Sequence, residues 1–205
     1  MSKRTDERLR SPQQTDQQPT RILGIPGSLR VKSYNRKLLQ AAQELAPSKV
    51  EVELWDGLKR VPPFDEDDEL DPGAAVLELR NAIGQADAVL IATPQYNGSL
   101  PGQLKNALDW ASRPYTNNVL QGKPVAVIGA SPSPSGAARA QTEARLVLAA
   151  PGSQVISAEL PLARAHEQFD DTGRLSSPAH RRSLRRLLEQ LALAAVPTDR
   201  IAAAA

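Results

Sequence analysis

The chain has 205 residues, with 25 Lys and Arg against 23 Asp and Glu, 40% hydrophobic and 23% charged residues. This is ordinary globular usage, enough for one sizeable domain with its own core, and it argues against wholesale disorder. The absence of cysteine excludes disulfides, thiol catalysis and thiolate zinc sites. No apolar run is long enough to span a bilayer and the first twenty residues are too polar for a secretory signal, a combination that fits a cytoplasmic protein.

Residues 1–19, rich in Gln, Thr, Ser, Asp and Arg, read as a mobile tail, and 196–205 as a second one, leaving a domain over 20–195. Arg21 to Ile25 reads as a first strand, Asn35 to Ala46 as a helix with Leu38, Ala42 and Leu45 on one face, and Val50 to Leu54 as an alternating edge strand. Asp56 to Gly73 is a loop rich in proline and acidic residues. Ala74 to Gln85 is a helix, Asp87 to Ala92 a buried strand, Ser99 to Ser112 a third helix and Pro124 to Ala130 another buried strand. Ala137 to Ala149 reads as a helix, Gln154 to Ser157 as a short fifth strand and Pro178 to Leu193 as the last helix.

Five strands alternating with helices require a parallel sheet covered on both faces, an α/β domain of three layers. The edge-like second strand and the buried first, third and fourth favour the order 2-1-3-4-5. The topological switch point then lies between strands one and three, where open α/β sheets bind ligands. The loops after those two strands meet at that crevice.

The first of them, Ile25 to Asn35, contains neither G-x-G-x-x-G nor a P-loop signature. It offers Ser28, Arg30, Ser33 and Asn35 around a helix start, where free N–H groups favour an anion. The set suits a phosphate monoester; Ser33 or Asn35 alone would be read as a helix cap. The second, Thr93-Pro94-Gln95-Tyr96-Asn97-Gly98-Ser99-Leu100-Pro101, is stiffened by prolines and turned at a glycine. Its backbone at Gln95, Tyr96 and Asn97 can face a planar heterocycle, and Ser99 is placed to cap the following helix. The fourth-strand loop, Ser131-Pro132-Ser133-Pro134-Ser135-Gly136, is small and polar and can approach a ligand closely, or be an ordinary turn.

Elsewhere the chemistry does not assemble. His166 and His180 form no metal spacing, and Asp65 to Glu69 reads as solvated charge. Leu184, Leu187, Leu188 and Leu191 recur at helical spacing, so the arginines among them read as the wet face of a docked helix and not a nucleic-acid patch. Trp110 reads as core or subunit-contact packing.

Gly27-Ser28-Leu29-Arg30 with Ser33 and Asn35, then Pro94 to Ser99 with Leu104-Lys105-Asn106-Ala107-Leu108-Asp109-Trp110, then Gly122-Lys123-Pro124 leading to Gly129-Ala130-Ser131, together resemble the NADPH-dependent FMN reductases over about residues 21–160. The resemblance implies a flavodoxin-like fold and a family of quinone, azo-dye and chromate reductases. By position, Ser28, Arg30, Ser33 and Asn35 would hold the FMN phosphate, Pro94, Gln95, Tyr96 and Asn97 would line the isoalloxazine ring, and Ser131 would begin a third flavin-side loop. A homodimer or homotetramer is implied, with NADPH or NADH as reductant, a small-molecule electron acceptor, and no nucleic-acid or membrane partner. Two positions depart from the pattern: Gln95 stands where many relatives have Glu, and the fourth-strand loop is poorer in glycine.

The chemistry implied is hydride transfer from NAD(P)H to the flavin and then electron transfer to an acceptor, in ping-pong fashion, without a required acid or base side chain. A flavodoxin-type electron carrier is the competing reading. Such carriers present acidic faces, whereas the isoelectric point here is about 9.0. A flavin-free module binding a partner through its basic last helix is the third.

Overall fold

The computed structural model describes residues 18–196, so the expected tails lie outside the described residues except for 18, 19 and 196. Its elements are β1 (Thr20–Pro26), α1 (Tyr34–Leu45), β2 (Val50–Leu54), α2 (Ala74–Gln85), β3 (Ala88–Ala92), α3 (Gly102–Ala111), β4 (Pro124–Ala130), α4 (Ala138–Ala149), β5 (Gln154–Val155), β6 (Pro161–Leu162) and α5 (Pro178–Ala194). The sheet is parallel in the order β2-β1-β3-β4-β5, as expected.

Because successive strand side chains point to opposite faces, the buried runs of β1, β3 and β4 feed two cores. Leu23, Ile25, Val89, Ile91, Val125 and Val127 pack under α2, α3 and α4. Ile22, Leu90, Ala126 and Ile128 pack under α1 and α5. Leu184, Leu187, Leu188 and Leu191 are the buried stripe of α5, and Arg182, Arg185 and Arg186 lie on its exposed side.

A sixth strand escaped the sequence reading. β5 pairs only with Pro124 and Val125, and β6 then pairs in parallel with Gly129 and Ala130 on the same edge of β4. A two-residue strand has too little pattern to read. Between the two short pairings the Val127 carbonyl accepts from Arg145 Nη2 at 3.0 Å, and the same nitrogen reaches the Ala158 carbonyl at 3.3 Å. Burial pulls the Arg145 guanidinium below its ordinary pKa, and Glu159, 3.1 Å away, opposes that shift.

The segment between β2 and α2 is more ordered than its composition suggests. It carries a single turn of 3-10 helix at Leu58–Arg60 and packs on α3. Gln103 donates to the Leu58 and Val61 carbonyls, Asn106 donates to Pro62 O and accepts from Phe64 N, and Trp110 Nε1 donates to Pro62 O at 3.0 Å. Trp110 is 1% exposed within one chain, with Phe64 edge-on to it at 4.9 Å. It belongs to the core, which removes it from any subunit contact. The acidic run is also partly paired: Glu66 and Glu69 face Arg113 at 3.7 and 3.5 Å.

Candidate functional site

The carboxyl ends of β1, β3 and β4 deliver three loops to one crevice. Gly27 N donates to Ala92 O at 2.8 Å and Thr93 N to Ile128 O at 2.9 Å, so the strand ends are locked together where the loops depart. Gly129 permits this closeness, since a Cβ there would sit 2.7 Å from Gln141 Nε2 and 2.8 Å from the Thr93 carbonyl. Tyr96 Oη and Ser28 Oγ approach to 3.4 Å, so the first two loops touch.

In the first loop Ser33 is the N-cap of α1. Its Oγ accepts from Asn35 N at 3.2 Å and Arg36 N at 3.5 Å. Ser28 Oγ accepts from Arg30 N at 3.3 Å. Arg30 is exposed and forms no ion pair among the described residues, while its neighbour Arg36 is paired with Asp56. Among the described residues no protein acceptor meets the N–H groups of Leu29, Val31 and Lys32. A cleft lined by Ser28, Arg30, Arg36, Trp55, Asp56 and Lys59 continues towards β2; Asp56 pairs with Arg36 there, which leaves Arg30 and Lys59 as its cations without an ion-pair partner among the described residues. An unpaired guanidinium, a hydroxyl and open N–H groups at a helix start form a donor set that fits a dianionic phosphate.

Asn35 stands apart. It is 2% exposed, its Nδ2 donates to Ala130 O at 3.0 Å and its Oδ1 accepts from Ala130 N at 2.9 Å. Both ends of the carboxamide are spent on tying the start of α1 to the end of β4.

The β3 loop is a tight hairpin. Tyr96 and Ser99 exchange two backbone hydrogen bonds of 3.0 Å, with Asn97 at φ 51° and Gly98 at φ 83° between them. Positive φ at both central positions is the type I′ arrangement, which Asn-Gly supplies with least strain. Ser99 therefore does not cap α3, contrary to the expectation from its position. Its backbone faces Tyr96, its Oγ donates to Glu143 Oε1 at 2.9 Å, and α3 starts later, with Pro101 at the cap. Pro94 is buried, whereas Tyr96 and Asn97 are exposed. Gln95 Oε1 accepts from Ala140 N at 3.4 Å.

In the β4 loop the hydroxyls of Ser131, Ser133 and Ser135 run in a chain, with Oγ separations of 3.0 and 2.9 Å. Ser131 N donates to Leu162 O, and Ala165 N donates back to Ser131 O, so β6 and the turn after it hold this loop. The sequence reading missed Glu143 and the buried Gln141, whose Nε2 donates to Gly136 O at 3.0 Å. Both lie inside α4, where nothing in the helical pattern marks them as turned towards loops.

The strand order, the crevice at the β1–β3 switch point and a phosphate-type donor set define a flavodoxin-like nucleotide-binding protein. The sequence profile of the family described as NADPH-dependent FMN reductase matches residues 20–167. The chain is 41% identical over 175 residues to an NAD(P)H-dependent FMN reductase of Pseudomonas aeruginosa, covering 84% of this chain and 94% of that protein. It is 40% identical over 156 residues to a quinone reductase of Pseudomonas putida, covering 74% of this chain and 82% of that one. Among solved structures, a flavoenzyme NAD(P)H:(acceptor) oxidoreductase of Paracoccus denitrificans superposes with a TM-score of 0.76 at 35% identity, covering 86% of this chain and 97% of that one. The chain belongs to the NADPH-dependent FMN reductase family: it is an oxidoreductase whose cofactor is FMN and whose reductant is NAD(P)H. No helix among the described residues is long and apolar enough to cross a membrane.

Proposed function

We propose that the protein catalyses the two-step reduction of a small electron acceptor, a quinone foremost, with free flavin, azo compounds and metal oxyanions as further acceptors. The single observation that carries this reading is the crevice itself. It has a free phosphate-type donor set on one side, a rigid hairpin on the other and no acid–base constellation between. When bound, FMN supplies the redox chemistry, taking a hydride from NAD(P)H and passing electrons to the acceptor.

The chain's own residues bind and orient. Ser28, Arg30 and the open N–H groups around the Ser33 cap grip the phosphate, and Asn35 shapes that grip from behind by holding Ala130. Pro94, Gln95, Tyr96 and Asn97 form a stiff platform under the ring, with Ser131 at its far edge. The N–H groups of Gln95, Asn97 and Gly98, which meet no protein acceptor among the described residues, are the platform donors that would support negative charge on a bound ring. A ring resting on this platform would have one side covered by it, so NAD(P)H and the acceptor would use the other side in turn. Initial rates at several fixed quinone concentrations test this: parallel double-reciprocal lines are expected, and intersecting lines contradict it.

The phosphate grip favours FMN over FAD, because no second glycine-rich loop is present for a pyrophosphate; titration of the flavin-free chain with both flavins checks this preference. A homodimer or homotetramer remains part of the reading, its contact built on exposed residues such as Tyr115, which is 68% exposed. Sedimentation of the FMN-loaded chain reads the assembly directly.

A further inference from the structure

Glu143 lies in the second turn of α4, half-buried and without an ion-pair partner among the described residues. Its carboxylate is spent instead on the base of the β3 hairpin. Oε1 accepts from Ser99 Oγ at 2.9 Å and Oε2 accepts from Leu100 N at 3.1 Å. One turn earlier on the same face of α4, Ala140 N donates to the Gln95 side chain at 3.4 Å. α4 therefore holds the hairpin at both of its ends, and the residues between them are those assigned to the ring.

The hairpin needs such a hold. Asn97 and Gly98 both sit at positive φ, and the Tyr96–Ser99 pair is an isolated bridge and not part of the sheet. An isolated two-stranded turn is marginal on its own. Hydrogen bonds to an ionised carboxylate are about twice as strong as neutral ones, so a carboxylate with two loop donors is an effective splint. Had its role been only to pair charge, a cation would face it, as arginines face Glu53, Glu78 and Glu159.

We propose that Glu143 is a positioning residue, fixing the Gln95–Leu100 hairpin so that its backbone is already shaped for the flavin ring. This rests on the FMN reading above. It separates ring binding from phosphate binding: Glu143 serves the first and leaves the second alone.

The test uses the full chain freed of flavin, with lumiflavin as a ring-only probe, inorganic phosphate as a phosphate-only probe, and hydrogen exchange as a readout independent of turnover. In Glu143→Ala, which removes both hydrogen bonds to the hairpin, the Leu100 amide exchanges at least about tenfold faster and lumiflavin affinity falls about tenfold, a change of the size of one charge-assisted hydrogen bond. Phosphate affinity changes less than about twofold. Glu143→Gln retains an acceptor for Ser99 Oγ but presents N–H₂ to Leu100 N, so it loses an intermediate amount. Should Glu143→Ala not fold, Ser99→Ala removes one of the two donors and is expected to weaken lumiflavin about threefold with phosphate binding intact. Unchanged lumiflavin affinity in these variants, or equal losses of lumiflavin and phosphate, would overturn the proposal. A wild-type chain that fails to bind FMN removes the underlying reading, and the inference with it.

Discussion

The loops after β1 and β3 both present open N–H groups but are held in different ways. The β1 loop leaves an unpaired guanidinium, a hydroxyl and several N–H groups open, and borrows only a cap from Ser33. The β3 loop closes on itself through the Tyr96–Ser99 pair, and α4 takes up Ser99 Oγ, Leu100 N and Gln95 Oε1, while the N–H groups of Gln95, Asn97 and Gly98 meet no protein acceptor among the described residues. The first arrangement awaits a ligand with charge. The second is a braced surface, able to offer shape and backbone edges to something flat. Pre-organised donors at one end and a pre-shaped platform at the other are what a phosphate joined to a planar ring requires.

That contrast can be broken from either side. The largest effect is expected at Asn35, which belongs to the β1 loop by sequence yet behaves as scaffold. Asn35→Ala leaves both Ala130 N and Ala130 O buried without partners, a loss of about 2–3 kcal/mol of stability seen in the denaturant midpoint. Next is Arg30→Ala, which removes a charge-assisted contact worth about 1.5–3 kcal/mol to FMN binding and leaves stability unchanged. Arg113→Ala, whose partners are Glu66 and Glu69, is expected to keep FMN affinity, so equal losses in the two variants would end the phosphate assignment. Gly98→Ala forces a Cβ into the left-handed region at φ 83° and costs about 1–2 kcal/mol, expressed in lumiflavin binding more than in phosphate binding. The smallest change is Ser33→Ala, a lost cap of about 1 kcal/mol, measured as a lower melting temperature together with a modest loss of FMN affinity.

The strand order was legible because burial of β1, β3 and β4 on both faces leaves continuous apolar runs, while β2 alternates as an edge does. β6 was not, because two residues carry no period and its pairing depends on the excursion that Arg145 supports. The start of α3 was misplaced for a related reason. Ser99 has the composition of a cap, but its partner, Glu143, lies 44 residues away. Trp110 was ambiguous because its cover, Pro62 and Phe64, comes from a segment whose composition reads as open loop. The first-loop residues were named as a group, but their division into open donors and spent scaffold depends on the Ala130 contact, which only the fold creates.

The central claim is that this crevice holds FMN and admits NAD(P)H to it directly. Its most direct test is the visible absorption spectrum of the FMN-loaded protein, recorded without oxygen before and after adding NADPH or NADH and then a quinone. The flavin band is expected to bleach with the nicotinamide and return with the quinone. A bound flavin whose spectrum neither nicotinamide changes would contradict the account and identify a carrier of electrons instead of an enzyme.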